Sequence, residues 1–488
     1  MNNEGLSRRF VRSTALVAGG TYLNQLLNFA ANVALMRLIV PEYFGQMALG
    51  LFFLSLCRRA FGLGINAALI HRQDDLDRAY GVHLGLNLLI GVLTLGVVAL
   101  ASPLVAARYD HGVIVALWAF ALAGLAEAAT HTPRLALEKR LEFKRLMAAR
   151  VSNTLLVNAV AIVVAIAGYG LEALILRYVL GVLYDLVLVW ILAPIRPRLC
   201  FDRKLVRWFL RFGAQLWFGG LASFTIYQLD DWFVGTLVGA VALGFYSRSY
   251  NTSLLPTSMV SQVVAKVAFP VYARLQNDRA ALSAVFGATT RGVALLTLPF
   301  SALLFLVAPE LVSILFGQTW MPMVPMLRAL ILFSACRPLF DNTGDLFSAV
   351  GRPQTSSRIQ VGQALSLALL LWPATYFGQA IGAALAVGVV MLGGVVAAYV
   401  ILRQAVDVRY RELFTGPLAA SLIALGLSFA VVSQLGDPGQ WAAGLCKLCC
   451  FAILFLLLIA LIEGQRLRRD LRDVVRLLQG RPAEVEDV

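Results

Sequence analysis

The chain has 488 residues, of which 59% are hydrophobic and 14% charged, with a formal net charge of +14 and a mean hydropathy of +0.78. A soluble domain carries roughly 25% charged residues, and a chain this apolar would expose greasy surface and aggregate in water. The composition therefore excludes an ordinary soluble protein and points to the bilayer as solvent, so the positive charge is read first as membrane topology and only then as nucleic-acid affinity.

In chain order, Arg8, Arg9 and Arg12 precede a long apolar run without an early small-residue cleavage site, read as a retained first helix rather than a signal peptide. Crossing the hydrocarbon takes about 20 apolar residues. On that basis spans are expected at 14–36, 43–66, 79–101, 112–132, 147–167, 171–193, 213–238, 245–269, 289–308, 323–349, 359–377, 380–402, 414–434 and 441–463. This makes an all-α polytopic membrane protein of about fourteen helices. Basic residues collect after spans four (Arg134 to Arg150), six (Arg196 to Arg211), twelve (Arg403, Arg409, Arg411) and fourteen (Arg466 to Arg481), all on one side. The opposite loops hold little beyond Arg37 and Arg108. The asymmetry predicts that both termini are cytoplasmic and accounts for the net charge without nucleic acid.

Two basic segments have amphipathic spacing. Leu205, Trp208, Phe209 and Phe212 lie opposite Arg203, Lys204, Arg207 and Arg211, and Leu467, Leu471, Val474, Val475 and Leu478 lie opposite the tail arginines. Both are read as helices in the headgroup plane, with anionic membrane lipid as the partner. The expected organisation is a six-helix bundle over 1–195, an amphipathic linker over 196–212, a second bundle over 213–402, two further spans over 403–463 and a tail over 464–488.

The halves repeat. Residues 38–45 align with 237–244 at an offset of 199, Ser102-Pro103-Leu104-Val105 echoes Ala308-Pro309-Glu310-Leu311-Val312, and Gly170 echoes Gly382. Six spans per copy give parallel repeats, whose interface is where transporters place substrate; the expected architecture is two six-helix bundles around a central lumen.

Charges inside spans are costly, about 2.5–3.5 kcal/mol each at mid-bilayer on insertion scales, and usually face a cavity or a partner. Arg58 and Arg59 fall in span two, Asp230 and Asp231 in span seven, Arg248 and Lys266 in or near span eight. Arg337, Asp341 and Asp345 share a face of span ten, and Glu127, Arg177 and Asp185 add to the first half. Span one carries Asn24, Asn28 and Asn32 at i, i+4, i+8, and the repeat offset brings Asn28 onto Tyr227 and Asn32 onto Asp231. These residues are expected to line a hydrated lumen, with Asp231, Asp341 and Asp345 as candidates for a coupling proton or sodium ion. The plainer alternative is a set of structural ion pairs such as Arg337 with Asp341. The arginines and Lys266 favour an anionic passenger.

No Gly-x-x-x-x-Gly-Lys-[Ser/Thr] loop, His-Glu-x-x-His motif or zinc-spaced cysteine set occurs, so no catalytic residue, metal or cofactor is expected. The four histidines read as loop or helix-end residues, Asp75-Leu76-Asp77 as a chance occurrence, and the Gly81/Gly85, Gly235/Gly239 and Gly378/Gly382 pairs as close helix packing.

Tyr43-Phe44-Gly45, Phe61-Gly62-Leu63-Gly64, the run Pro133 to Phe143, Asp230-Asp231, Leu243-Gly244-Phe245-Tyr246-Ser247-Arg248, Phe269-Pro270, Ala308-Pro309-Glu310 and Ala349-Val350-Gly351-Arg352 carry a resemblance. Over about residues 10–400 the chain resembles the Wzx-type polysaccharide transport family of the multidrug/oligosaccharidyl-lipid/polysaccharide flippase superfamily, near the colanic acid exporters. The resemblance implies alternating access driven by an ion gradient, with a polyprenyl-pyrophosphate-linked oligosaccharide moved from the inner to the outer leaflet. It implies the polysaccharide polymerase machinery as a partner. Members near this branch often carry a smaller or acidic residue where Arg59 and Ala60 stand. Competing readings are a small-molecule exporter on the same fold, against which the arginines argue, and a glycan-assembly enzyme or a membrane scaffold. The enzyme lacks a large outer loop, and the scaffold leaves the buried charges unexplained.

Overall fold

The computed structural model describes the backbone of residues 3–193, 195–434 and 439–478. Side chains are described from residue 19 to 464 apart from 194, 215–216, 218–219, 256, 258–260, 262–263, 265–267 and 435–438. The described residues are helices and connecting turns, with no strand among them. In order these are α1 (Asn3–Leu38), α2 (Pro41–Phe61), α3 (Ile65–His71), α4 (Leu76–Ala106), α5 (His111–Lys139), α6 (Phe143–Ile166), α7 (Gly170–Leu192), α8 (Arg203–Leu237), α9 (Ala240–Ser253), α10 (Leu255–Leu275), α11 (Arg279–Leu315), α12 (Met323–Ala349), α13 (Pro353–Leu402), α14 (Tyr410–Ser433) and α15 (Gln440–Leu478). Among them nine are long and apolar enough to cross a bilayer, or ten if α2 and α3, bent by 53° at their junction, count as one span. The other expected spans coincide with α1, α8, the α9–α10 pair and the second arm of α13, so the polytopic all-α architecture is borne out.

Three helices differ from the expectation in instructive ways. Asp202 caps α8, its Oδ1 accepting from the backbone N–H of Lys204 (2.8 Å) and Leu205 (3.2 Å). With no breaker before Gly239, the expected linker and span seven run as one 35-residue helix. The expected eighth span is broken at Leu254, just ahead of the Pro256 that cannot donate to the preceding turn. Spans eleven and twelve are the two arms of α13, which folds back at Gln379 (φ 50°, ψ −143°). The arms meet where Gln363 Nε2 donates to Val390 O across 3.4 Å.

The amphipathic stretch at the start of α8 is a correction. Its apolar face does not meet lipid: Leu205 and Phe209 are buried in a core with Ile65, Leu69, Tyr80, Leu135 and Ile195, with Trp208 and Phe212 packed against it. Arg72 lies over the Trp208 ring at 5.0 Å, and His71 stacks on Phe212. A face that already covers α3, α4 and α5 is not available to the headgroups. The side chains of the second amphipathic segment, beyond residue 464, lie outside the described residues.

The chain divides into two compact units, 1–247 and 248–488. The first takes in α8 and the start of α9, which the sequence repeat assigns to the second half; the packing boundary and the repeat boundary are different lines. One contact explains it. A Cβ on Gly45 would lie 1.8 Å from Ala240 O, and a Cβ on Gly244 would lie 1.9 Å from Pro41 O. Glycine at both positions lets the first turns of α2 and α9 cross backbone to backbone. Under the repeat offset Gly45 corresponds to Gly244 and Pro41 to Ala240, so the contact is reciprocal between corresponding residues. Nearby, Tyr109 and Thr236 share a hydroxyl hydrogen bond of 2.6 Å.

In the second unit α11 and α12 form the centre, with α10, α13, α14 and α15 packed around them. Asn342 at its heart accepts from Tyr272 (3.0 Å) and donates to Thr290 (3.0 Å), all buried. Two ion pairs hold α15 along α11: Arg291 with Glu463, and Lys447 with Glu310 at 2.6 Å.

Candidate functional site

The polar residues of the first unit gather around three cavities. The first, of about 410 Å³, lies among α2, α4, α5 and α8 and is lined by Arg58, Arg59, Asn66, Asn87, His131 and Trp217. The second, of about 500 Å³, lies among α2, α5, α6 and α7 and shares Arg58; Glu127, Arg134, Arg177, Tyr178 and Asp185 line it. The third, of about 440 Å³, shares Arg134, Asn153 and Asp185 and reaches Asn24 and Thr154. Arg58 thus stands between the first and second cavities, and the Arg134–Asp185 pair between the second and third.

Arg58 and Arg59 are neighbours in sequence but point to different tasks. Successive helical residues sit about 100° apart, so they cannot share a face. The Arg58 guanidinium pairs with Glu127 at 2.7 Å and donates to Tyr178 Oη at 3.2 Å. Tyr178 in turn donates to Glu127 at 3.1 Å, closing a triangle between α2, α5 and α7. The Arg59 Nε donates instead to Gly220 O at 2.6 Å, while Trp217 Nε1 donates to Arg59 O at 2.8 Å, locking α2 onto α8. A Cβ on Gly220 would lie 2.3 Å from the Arg59 guanidinium, so the glycine makes room for it.

The asparagine face of α1 meets α6 and α7 within the same unit. Asn24 accepts from Thr154 at 2.6 Å. Asn28 accepts from Asn158 at 3.3 Å and Arg177 at 3.2 Å. Asn32 accepts from Arg177 at 2.7 Å. Arg177 therefore holds two of the three asparagines. Arg134 pairs with Asp185 at 2.6 Å. Among the described residues no carboxylate lies within ion-pair distance of Arg59 or Arg177, whereas Arg58 and Arg134 each have one, so the cavity walls keep an excess of positive charge.

The other expected site residues are more dispersed. Asp230 is buried in the first unit and accepts from Tyr246 Oη at 2.6 Å; Tyr227 and Asp231 beside it are half-buried. In the second unit Arg337 Nε pairs with Asp341 at 3.1 Å, Asp341 accepts from Ser261 at 3.0 Å, and Asp345 follows one turn on, half-buried. Arg248 is half-buried at the start of that unit, and the side chain of Lys266 lies outside the described residues. The Arg337–Asp341 contact has the form of the plainer ion-pair reading.

Sequence reasoning passed over His131, Trp217 and Gly220. A lone histidine or tryptophan in an apolar run carries no pattern, and a glycine chosen to admit an arginine is visible only in three dimensions. His83 is also buried, hydrogen-bonded to Thr132 (2.8 Å) and Asn66 (3.0 Å), a core residue rather than the expected helix-end one.

Against this geometry the comparisons with known proteins fall into place. The chain is similar to the teichuronic acid biosynthesis protein TuaB of Bacillus subtilis, 28% identical over 65% of this chain and 66% of that protein. It is also similar to the lipopolysaccharide biosynthesis protein WzxC of Escherichia coli, 23% identical over 83% of this chain and 84% of that one. Its fold matches that of the lipid II flippase MurJ in an inward closed conformation, with a TM-score of 0.74 at 14% identity, covering 93% of this chain and all of the other. The family described as polysaccharide biosynthesis protein matches residues 34–325, more than half the chain. The resemblance carried by the sequence motifs is thereby borne out, and the chain belongs to the polysaccharide biosynthesis protein family.

Proposed function

We propose that this protein is a secondary transporter that flips a polyprenyl-pyrophosphate-linked oligosaccharide from the cytoplasmic to the outer leaflet for surface polysaccharide synthesis. The observation that carries the reading is the charge of the neighbouring cavities: Arg59 lines the first and Arg177 the second, each without a carboxylate partner among the described residues. In a low-dielectric wall an uncompensated guanidinium attracts a pyrophosphate and repels a cationic drug. The amide groups of Asn66 and Asn87 suit sugar hydroxyls beside it.

The arginine-rich loops support a sidedness with both termini in the cytoplasm, in this reading at a bacterial inner membrane. Alternating access coupled to a proton or sodium ion would use carboxylates such as Asp231, Asp341 and Asp345, with Asn24, Asn28, Asn32, Arg58, Tyr227, Asp230, Arg248, Lys266 and Arg337 as further passenger contacts. The protein carries out no bond-making chemistry in this reading. The polymerase machinery receives the flipped unit.

The test is a gene deletion followed by extraction of lipid-linked oligosaccharides and probing of the leaflet they occupy. Completed units held on the cytoplasmic leaflet, with surface polysaccharide lost and restored by the wild-type gene but not by Arg59→Ala, are expected. Unaltered glycans in both leaflets with export intact would refute the proposal.

A further inference from the structure

Away from the three cavities, a fourth of about 460 Å³ opens where the N-terminal end of α4, the C-terminal end of α5 and the segment after α7 meet. Arg78, Arg140, Arg196 and Arg198 line it, with the buried Tyr80 at its base. Of the lining residues Asp77 is the one carboxylate. Arg78 lies 3.7 Å from Asp75, an exposed pair in which water screens the attraction. No carboxylate among the described residues lies within ion-pair distance of Arg140, Arg196 or Arg198.

Two of the arginines sit on an irregular segment whose backbone is held in place. Ile195 is buried in the core with Ala79 and Tyr80. Pro197 fixes its own φ. The backbone at Arg198 lies against α4 where a Cβ on Gly81 would come within 2.2 Å of Arg198 O. The Cys200 thiol meets Arg78 O at 3.4 Å. Asp202 then caps α8. The backbone of this segment is thus fixed, so that binding has only the exposed arginine side chains left to order.

The neighbouring side chains say where the ligand comes from. Leu199 and Phe201, which follow Arg198, are 65% and 82% exposed. Exposed apolar side chains directly after arginines, just past the end of a span, match the boundary between acyl chains and phosphates. Arginine forks grip phosphate oxygens in two parallel hydrogen bonds.

We propose that this pocket binds the phosphate or diphosphate headgroup of an anionic lipid, with Phe201 and Leu199 resting on its chains. It is a site separate from the cavities assigned to the passenger, and its lipid is either a bulk phospholipid or an isoprenyl diphosphate.

The experiment is native mass spectrometry of the full-length, delipidated protein titrated with phosphatidylglycerol, phosphatidylcholine or farnesyl diphosphate, for wild type and for the triple variant Arg140→Gln, Arg196→Gln, Arg198→Gln. Wild type is expected to hold phosphatidylglycerol or farnesyl diphosphate over phosphatidylcholine, and the variant to lose about tenfold or more of that affinity, the scale of one lost charge-assisted contact. Preference for phosphatidylglycerol assigns a phospholipid and preference for farnesyl diphosphate an isoprenyl carrier; either supports the site. The triple lysine variant keeps the charge and should recover part of the affinity, which separates binding from misfolding. Equal retention by wild type and glutamine variant, or no preference over phosphatidylcholine, overturns the proposal. Binding is read without transport, so a failed flipping assay with intact lipid binding would refute the transport reading and leave this one standing.

Discussion

The two units treat buried charge in opposite ways. In the first, the Arg58–Glu127 pair lines cavities with about a third of each side chain exposed, and Arg59 and Arg177 add charge without a counter-ion among the described residues. In the second, Arg291–Glu463 is 10% and 6% exposed and Lys447–Glu310 14% and 13%, each a closed pair between packed helices. A charge facing a hydrated cavity keeps part of its solvation and stays available to a ligand. A charge sealed between helices fixes where those helices lie. The first unit leaves its paired charges open to a cavity, whereas in the second the two sealed pairs hold α15 along α11, beside the more open Arg337–Asp341 pair.

That contrast can be broken at several points. The largest effect is expected at the sealed pairs: Glu463→Ala takes the carboxylate away from the buried Arg291 and should destabilise the protein by about 3–5 kcal/mol. Unfolding in detergent would read this, and Arg291→Met with Glu463→Leu should recover most of the loss. If the single substitution is neutral, the pair is not the clamp described here. Next comes the α2–α9 crossing. Gly244→Ala puts a methyl group where a carbonyl stands, and overpacking of this kind costs about 1–3 kcal/mol. Gly45→Ala should behave alike, and the double variant should cost less than the sum, because either methyl group already forces the helices apart.

Arg59→Ala should reduce transport about tenfold or more, equivalent to about 1.4 kcal/mol, with Arg59→Lys recovering only part because lysine lacks the Nε that reaches Gly220 O. Polysaccharide export normalised to protein level would measure it. Full activity in the alanine variant would remove Arg59 from the passenger path. The smallest expected effect is on stability at the exposed-side pair: Arg58→Ala together with Glu127→Ala should change it by under about 1 kcal/mol. A loss as large as that at Glu463 would erase the distinction between the two units.

Much of this was legible in the sequence, and the rest failed for identifiable reasons. The bilayer demands long apolar stretches, so the fourteen expected spans fall on helical stretches, although 43–66 and 245–269 are each interrupted between two helices. The i, i+4, i+8 spacing of Asn24, Asn28 and Asn32 correctly marked one polar face, but spacing defines a face and not what it faces; Thr154 and Asn158 emerged only from packing, as did the pairing of the already noted Arg177 with Asn28 and Asn32. The apolar face at Leu205 and Phe209 was misassigned to lipid for the same reason, since a stripe buried against α4 and α5 has the periodicity of one buried in headgroups. The anchor of Arg59 is a backbone carbonyl, which every residue possesses and no pattern can flag. The repeat, weak residue by residue, was most informative where it predicted least: its corresponding glycines, Gly45 and Gly244, meet one another.

The two sealed ion pairs also bear on how the chain is made. Arg291 and Glu310 both belong to α11, yet their partners Glu463 and Lys447 lie 172 and 137 residues further along. When α11 leaves the ribosome, neither partner has been synthesised. The inserting helix carries both charges past α12 and α13 without these two partners until α15 arrives. The two pairs therefore close only once α15 has been made, and a nascent chain stopped before it would hold α11 without its contacts to α15.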